Sequence, residues 1–162
     1  MRLIDTFPTD RIKDIEYRVG RVFPFGASIV EGGVNFSIFS KEATSCTLLL
    51  FHHGAKEPFV EIPFPERFRI GNVFSMMVFN INIETTEYGY RFDGPYSPKE
   101  GLLFDRTKIL LDPYAKSISG RSVWGKRPAL DDPFPHRGPS PPGGTEGSWR
   151  VSWAFVRCWV LV

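Results

Sequence analysis

The sequence has few features that would place the protein in a membrane or in an oxidising compartment. Residues 1–5 are followed by Thr, Pro and charged residues, which leaves no apolar stretch for a signal peptide. There is also no run of about 18 apolar residues that could form a transmembrane helix. Its two cysteines, Cys46 and Cys158, are too few and too far apart for a disulfide framework. We therefore expect a cytoplasmic protein with no membrane partner.

Basic clusters and common catalytic motifs are absent as well. The 20 Lys and Arg residues are scattered among 18 Asp and Glu residues, a net charge of +2, whereas nucleic-acid binders concentrate basic residues on one face. No Gly-x-Ser-x-Gly or Walker-type loop occurs. His52 and His53 point to opposite sides of a strand, so we predict no metal and no other cofactor. Acidic residues interpreted as solvated charges of turns and linkers are Glu84, Glu87, Asp131 and Asp132.

What the sequence does contain is a series of short strand patterns with turn signals about every 8 to 12 residues. They cover residues 22–23, 28–30, 34–39, 46–51, 59–62, 73–79 and 88–92. Prolines on both sides of residues 59–62 predict an edge strand. The only helical signal is weak and lies at residues 10–17. We predict an all-β fold, an immunoglobulin-like β-sandwich of about seven short antiparallel strands, with an irregular C-terminal tail.

The clearest alternation lies near the middle of the chain. Tyr88, Tyr90 and Phe92 alternate with small or charged residues, which predicts a strand that sends its aromatic side chains into the core. Residues 93–95, Asp-Gly-Pro, end this strand, because glycine permits a positive φ and proline removes a hydrogen-bond donor. Cys46, within another apolar strand, is predicted to be buried.

These segments together resemble a known family. Tyr-Gly-Tyr-Arg at 88–91, Asp-Gly-Pro at 93–95, Phe-Asp at 104–105 and Leu-Leu-Asp-Pro-Tyr-Ala-Lys at 110–116 occur in this order and at similar spacing. They resemble the end of the N-terminal β-sandwich of bacterial glycogen-debranching enzymes and isoamylases, in the α-amylase superfamily. The resemblance extends over roughly residues 17–138.

This resemblance implies an accessory role on α-glucans. Family members hydrolyse α-1,6 bonds with acidic residues of a (β/α)8 barrel, which needs about 250 residues. Only about 25 residues follow Gly138, and they show no alternation of strands and helices. We therefore expect no catalytic residue here and regard the chain as truncated before the catalytic barrel.

A sugar site is implied by similarity to the glycogen-binding modules of kinase regulatory subunits. Their stacking tryptophan lies just past the Asp-Gly turn, where this chain has Tyr96. Their second tryptophan follows the strand resembling residues 46–51, where this chain has His52-His53-Gly54 and no aromatic residue. The candidate is a weak α-glucan site of Tyr96, Arg91, Asp93 and Lys99. The alternative is that Tyr96 packs on the sandwich or on a barrel.

A second set of residues forms a candidate docking seam. It consists of Leu110, Leu111, Pro113, Tyr114 and Trp124. These residues either close the core of the sandwich or face the catalytic barrel, and we expect a mixture of both roles.

Four segments follow from this interpretation. Residues 1–16 are a lead-in, 17–120 the carbohydrate-binding-type module, 121–138 a linker, and 139–162 an atypical tail rich in Pro, Gly and Trp. The abrupt change of composition favours a truncated or out-of-frame end, and the alternative is a native C-terminal strand that packs on the sandwich. Three rival functions remain open: a protein-docking module without sugar affinity, one half of a split α-1,6-glucosidase, or a gene remnant with no role.

Overall fold

The fold was obtained as a computed structural model, which describes residues 7–119 and the backbone of residues 157–159. The strands are β1 (Asp10–Ile12), β2 (Ile15–Val19), β3 (Gly26–Val30), β4 (Gly33–Phe39), β5 (Ser45–His52), β6 (Val60–Pro63), β7 (Arg69–Ile70), β8 (Val73–Phe79), β9 (Thr86–Asp93), β10 (Tyr96–Ser97), β11 (Leu102–Leu103), β12 (Ile118–Ser119) and β13 (Arg157–Trp159). Short 3-10 helices span Glu66–Phe68 and Pro98–Glu100. The predicted all-β sandwich is confirmed.

The first sheet has the strand order β1-β2-β8-β4-β3, and β7 also pairs with β8. All of its pairs are antiparallel. Val34 lies opposite Val78 and Phe36 opposite Met76, and these side chains are buried in the core. Successive side chains of β4 and β8 point to opposite faces of the sheet, and the face that carries these apolar side chains packs against the core.

The second sheet has the order β12-β13-β9-β5-β6. Leu48 lies opposite Tyr90 and Leu50 opposite Tyr88, and all four side chains are fully buried. The predicted inward orientation of the aromatic side chains of β9 is confirmed. So is the edge position of β6, which the flanking prolines predicted.

Aromatic rings join the two sheets across the core. Phe36 of the first sheet meets Tyr88 of the second with ring centroids 5.1 Å apart, and Phe74 meets Phe92 at 6.1 Å. Both pairs are edge-to-face, the arrangement that aromatic quadrupoles favour. Cys46 is buried in the same core, as predicted.

Residues 10–17 are not helical, and that prediction is wrong. They form the β1–β2 hairpin, in which Ile12 lies directly opposite Ile15 across a tight turn with Lys13 at φ 51°. A spacing of three residues between two apolar side chains suits one face of a helix and also two partners across such a turn. Residues 10–16, predicted as part of a lead-in, thus contribute to the first sheet.

Residues 22–23 are not a strand either, because residues 20–25 cross the outer face of the first sheet. Asn35 accepts a hydrogen bond from the amide of Arg21 at 2.7 Å and donates one to its carbonyl at 3.0 Å. The Ser37 hydroxyl donates to the carbonyl of Val22. A Cβ at Gly20 would lie 2.6 Å from the amide nitrogen of Met76, so only glycine fits at this crossing.

Part of the predicted tail is described. Residues 157–159 form β13, in which Cys158 pairs with Tyr88 of β9. The predicted linker at 121–138, which includes Trp124, and the remainder of the tail lie outside the described residues. Within the part that is described, no helix has the length and apolar content needed to cross a bilayer.

Candidate functional site

Tyr96 stands on a small hairpin at one end of the sandwich. Its strand β10 pairs with β11 so that Tyr96 lies opposite Leu103, and the two side chains are 62% and 63% exposed. The 3-10 helix Pro98–Glu100 connects the strands, and Gly101 ends it in the left-handed conformation at φ 76°. Lys99 is exposed on this helix. The hairpin therefore presents a tyrosine ring and a leucine side by side to solvent.

Arg91 and Asp93, the other predicted sugar-binding residues, lie on β9. The Arg91 guanidinium donates to the Glu61 carboxylate of β6 at 2.7 Å. Asp93 accepts a hydrogen bond at 2.9 Å from the amide of Gly94, within its own turn. The structure thus keeps Tyr96 and Lys99 on one hairpin, while the guanidinium of Arg91 is held by the edge strand of the second sheet.

A cleft of about 360 Å³ opens next to the hairpin. We call it the hairpin cleft. It lies between the turn at residues 40–42 and the segment 101–110, and Leu103 is part of its lining. Its lining consists of Ser40, Lys41, Glu42, Phe92, Gly101, Leu102, Leu103, Phe104, Asp105, Lys108 and Leu110. Tyr96 is not part of this lining, but it is the cross-strand partner of Leu103, which is.

The framework of the sandwich holds the wall at residues 40–44. Arg69 of the first sheet donates to the carbonyl of Ala43 at 2.9 Å and to that of Lys41 at 3.4 Å. Its guanidinium lies 4.9 Å from the ring centroid of Phe74, a cation–π contact. The amide of Thr44 donates to the carbonyl of Asp93 at 2.8 Å.

Local turns hold the opposite wall. Phe104 packs so closely on Gly94 that a Cβ at this glycine would lie 2.8 Å from the ring. Asp105 accepts hydrogen bonds from the amide and the hydroxyl of Thr107, at 2.9 and 2.6 Å. The amide of Lys108 donates to the carbonyl of Asp105 at 3.0 Å. This Asx-type turn sets the position of Lys108 on the rim of the cleft.

The candidate docking seam begins at an isolated β-bridge. Leu110 and Tyr90 exchange both backbone hydrogen bonds, at 2.7 and 2.9 Å. The Leu110 side chain is exposed, whereas Leu111 is partly buried and packs against the core. Pro113 and Tyr114 are exposed. The segment therefore combines core and surface positions.

Asp112, between the surface residues of the seam, is buried. Its carboxylate accepts hydrogen bonds from the Tyr88 hydroxyl and from the Tyr114 amide, both at 2.8 Å. Burial raises the pKa of Asp112, and the two hydrogen bonds partly offset this effect. One carboxylate thus links the core of the second sheet to the turn that carries Tyr114.

Tyr114 belongs to a group of three rings, Phe23, Phe25 and Tyr114, which we call the aromatic row. Phe23 and Tyr114 are exposed, and Phe25 between them is half-buried. The centroids of Phe23 and Phe25 are 4.8 Å apart, and those of Phe25 and Tyr114 are 5.1 Å apart. Phe23 is 66% exposed. Sequence reasoning missed the two phenylalanines, because the tertiary fold alone brings residues 23–25 to Tyr114.

Glu87 corrects another prediction. It is only 2% exposed rather than solvated, and its carboxylate lies 2.8 Å from Nδ1 of His53. The reason is its central position on β9, which has β5 on one side and β13 on the other. His52 stacks on Phe59 with ring centroids 4.4 Å apart. Across the described residues, no group of three His, Cys, Asp or Glu side chains is arranged to hold a metal ion.

The fold places the chain in the class of β-sandwich modules built from two antiparallel sheets. The profile of one family, carbohydrate-binding module 48 (isoamylase N-terminal domain), matches residues 24–115. The chain belongs to this family. The match confirms the resemblance that the motifs around Tyr88 and Leu110 predicted.

Similar proteins are much longer than this chain. It is 36% identical to isoamylase SU1 of Zea mays over 110 residues, which cover 65% of this chain and 14% of the maize protein. It is 34% identical to the glycogen debranching enzyme of Serratia proteamaculans (strain 568) over 123 residues, 76% of this chain and 17% of that enzyme. A crystal structure of pullulanase from Paenibacillus barengoltzii superposes with a TM-score of 0.46 at 17% identity, covering 60% of this chain and 13% of the pullulanase.

Proposed function

We propose that the chain is the non-catalytic module of a glycogen-debranching type of glycoside hydrolase, with weak affinity for α-glucans and a surface that docks on a catalytic barrel. Its α-glucan ligands would be glycogen, amylopectin or their oligosaccharides, in the cytoplasm. Family membership and relatives that are isoamylases and glycogen debranching enzymes support this proposal. Residues 17–120 would form the module and residues 121–138 the linker to the barrel.

The observation that carries glucan binding is the exposed pair of Tyr96 and Leu103 beside the hairpin cleft. The apolar face of a pyranose ring packs on a flat aromatic ring, and neighbouring polar groups bind its hydroxyls. Lys99 lies on the same hairpin. We expect weak affinity because Tyr96 would be the only stacking ring of this site. The loop after β5 carries no aromatic residue that could serve as a second one, and His52 is already stacked on Phe59.

Affinity electrophoresis in gels with and without glycogen tests this proposal. Glycogen should retard the parent protein, and Tyr96→Ala should remove the retardation. Phe7→Ala is the matched control, because Phe7 is an equally exposed aromatic residue, also 62%, on the N-terminal segment. Unchanged mobility of the parent protein in glycogen would contradict glucan binding.

A second function, docking, rests on the aromatic row. Exposed contiguous rings on a small protein commonly mark an interaction surface. The family match begins at residue 24 and ends at residue 115, so both of its ends lie at this row. The chain spans only 14 to 17% of these relatives, and the partner that we propose is the catalytic barrel in the remainder of such an enzyme.

Mixing this chain with the barrel portion of the Serratia enzyme as a separate polypeptide tests docking. A complex should form on gel filtration, and Phe23→Ser with Tyr114→Ser should weaken it. Phe39→Ser is the control, since Phe39 is also exposed but lies outside the row. Release of linear oligosaccharides from glycogen by the mixture would in addition support the split α-1,6-glucosidase. A complex that tolerates the double variant would overturn the assignment of the row.

A further inference from the structure

We propose that the hairpin cleft is itself a glycosyl subsite, which holds a short stretch of an α-glucan chain while Tyr96 stacks on the adjoining sugar. This inference rests on the proposed glucan binding and adds a set of residues that neither the motifs nor the family match assign. The hydroxyl-binding groups would be Lys41, Glu42 and Lys108 on the rim. The apolar floor would be Phe92, Phe104 and the leucines around them.

The lining of the cleft has the mixed character that a sugar requires. Its floor is formed by the rings of Phe92 and Phe104 and by the side chains of Leu102, Leu103 and Leu110. The C–H faces of a pyranose pack on such a surface, whereas a fully polar ligand would lose its hydration there without compensation. An apolar floor beneath a polar rim suits a molecule with one apolar face and polar edges.

The charges on the rim favour a neutral ligand. Two ammonium groups, Lys41 and Lys108, stand with two carboxylates, Glu42 and Asp105, so the formal charge of the lining is zero. A phosphate or another anion would meet two carboxylates, and a cation would meet two ammonium groups. A sugar hydroxyl both donates and accepts hydrogen bonds, and so it can use both kinds of group. The rim therefore fits a neutral polyol and disfavours a nucleotide or an anionic lipid headgroup.

The size of the cleft limits what it can hold. Its volume of about 360 Å³ is at the lower end of ligand pockets, which span about 300 to 1,000 Å³. A longer chain would continue past Leu103 toward Tyr96, its cross-strand partner. We therefore expect the dissociation constant per site to be about the same for short linear maltooligosaccharides as for the chains of glycogen.

Both walls are pre-formed, which favours binding. Arg69 fixes residues 41–43 from the first sheet, and the Asx-type turn at Asp105 fixes Lys108. The packing of Phe104 on Gly94 ties the floor to the end of β9. A cleft whose walls do not have to become ordered on binding loses less conformational entropy when the ligand enters.

Titration of the full chain with maltoheptaose, followed by NMR, tests the subsite. Amide shifts should change at residues 40–42 and 101–110. Glu42→Gln and Lys108→Ala should each weaken binding about tenfold, because each substitution weakens or removes a charge-assisted hydrogen bond to the sugar. Glu31→Gln and Lys116→Ala are the matched controls, since both residues are exposed outside the cleft lining. Equal melting temperatures would show that all four variants are folded.

Each outcome has a distinct meaning. Weakened binding in the two rim variants alone supports the subsite. Parent-like binding in both rim variants, together with loss of binding in Tyr96→Ala, overturns the subsite and leaves the proposed glucan binding intact. A parent chain that gives no shift changes with maltoheptaose overturns both.

Discussion

Asp112 shows how one residue can connect the core to the candidate docking surface. The hydrogen bond from Tyr88 anchors its carboxylate inside the second sheet, and the bond to the Tyr114 amide fixes the turn that presents the aromatic row. In the sequence, Asp112 stands out only as a member of the family motif at residues 110–116. Its role as a buried acceptor could not be read from the sequence, because Tyr88 lies 24 positions away.

The stability of the protein should depend on pH through Asp112. Burial raises its folded-state pKa above the ordinary value of 3.8, so between the two values the folded state binds more protons than the unfolded state. This contribution to the free energy of unfolding is therefore greatest at low pH and falls as pH rises through the folded-state pKa. Asp112→Asn should remove this slope and be about as stable as the parent at pH 7.

Asp112→Ala separates the charge of this group from its hydrogen bonds. The substitution removes the acceptor of two bonds and should lower the free energy of unfolding by about 1 to 3 kcal/mol at neutral pH. Urea denaturation of the parent and both variants at several pH values measures these differences. Identical pH slopes for the parent and Asp112→Asn would contradict the assigned titration.

At the scale of elements, long strands could be predicted from the alternation of apolar and polar residues. The hairpins and the segments that cross a sheet could not. The runs that became β4, β5, β8 and β9 show their strand pattern locally. The β1–β2 hairpin was mistaken for a helix because Ile12 and Ile15 fit both structures. The same limit applies to the candidate site. Tyr96 was proposed from the resemblance to glycogen-binding modules, whereas the hairpin cleft joins two segments about 60 residues apart, which no local pattern connects.

Side chains of the first sheet hold residues 20–25 in place, and Asn35 makes two of the hydrogen bonds. Asn35→Ala removes both of its hydrogen bonds to Arg21 and should lower the free energy of unfolding by about 1 to 3 kcal/mol, because two partly buried backbone groups lose their partner. Exchange of the Arg21 amide with solvent should also become faster.

Asn82→Ala provides the control for this prediction. Asn82 also accepts a backbone hydrogen bond, from the amide of Glu84 at 3.0 Å, but it is exposed, so water can replace the lost acceptor. Asn82→Ala should lower the free energy of unfolding by no more than about 0.5 kcal/mol. Equal destabilisation by the two substitutions would show that the attachment of residues 20–25 contributes little.

At the scale of the molecule, the second sheet is completed by a strand that is remote in sequence. Along β9, the N–H and C=O groups of Tyr90 point to the edge opposite β5, where Leu110 pairs with them. Tyr88, two residues earlier, presents its backbone groups to the same edge, and there its partner is Cys158 of β13. The strand β13 therefore protects an edge that would otherwise be free to pair with another chain.

Cys158→Pro tests this protection in the full chain. Proline removes the backbone N–H that pairs with Tyr88, so β13 should detach and the edge of β9 should be exposed. We expect a free energy of unfolding lower by at least about 1 kcal/mol and self-association that increases with protein concentration, measured by thermal denaturation and by sedimentation velocity. Cys158→Ser, which keeps the backbone donor, should match the parent in both measurements. If the proline and serine variants behave alike, β13 does not protect the sheet, and the edge of β9 must be stable without it.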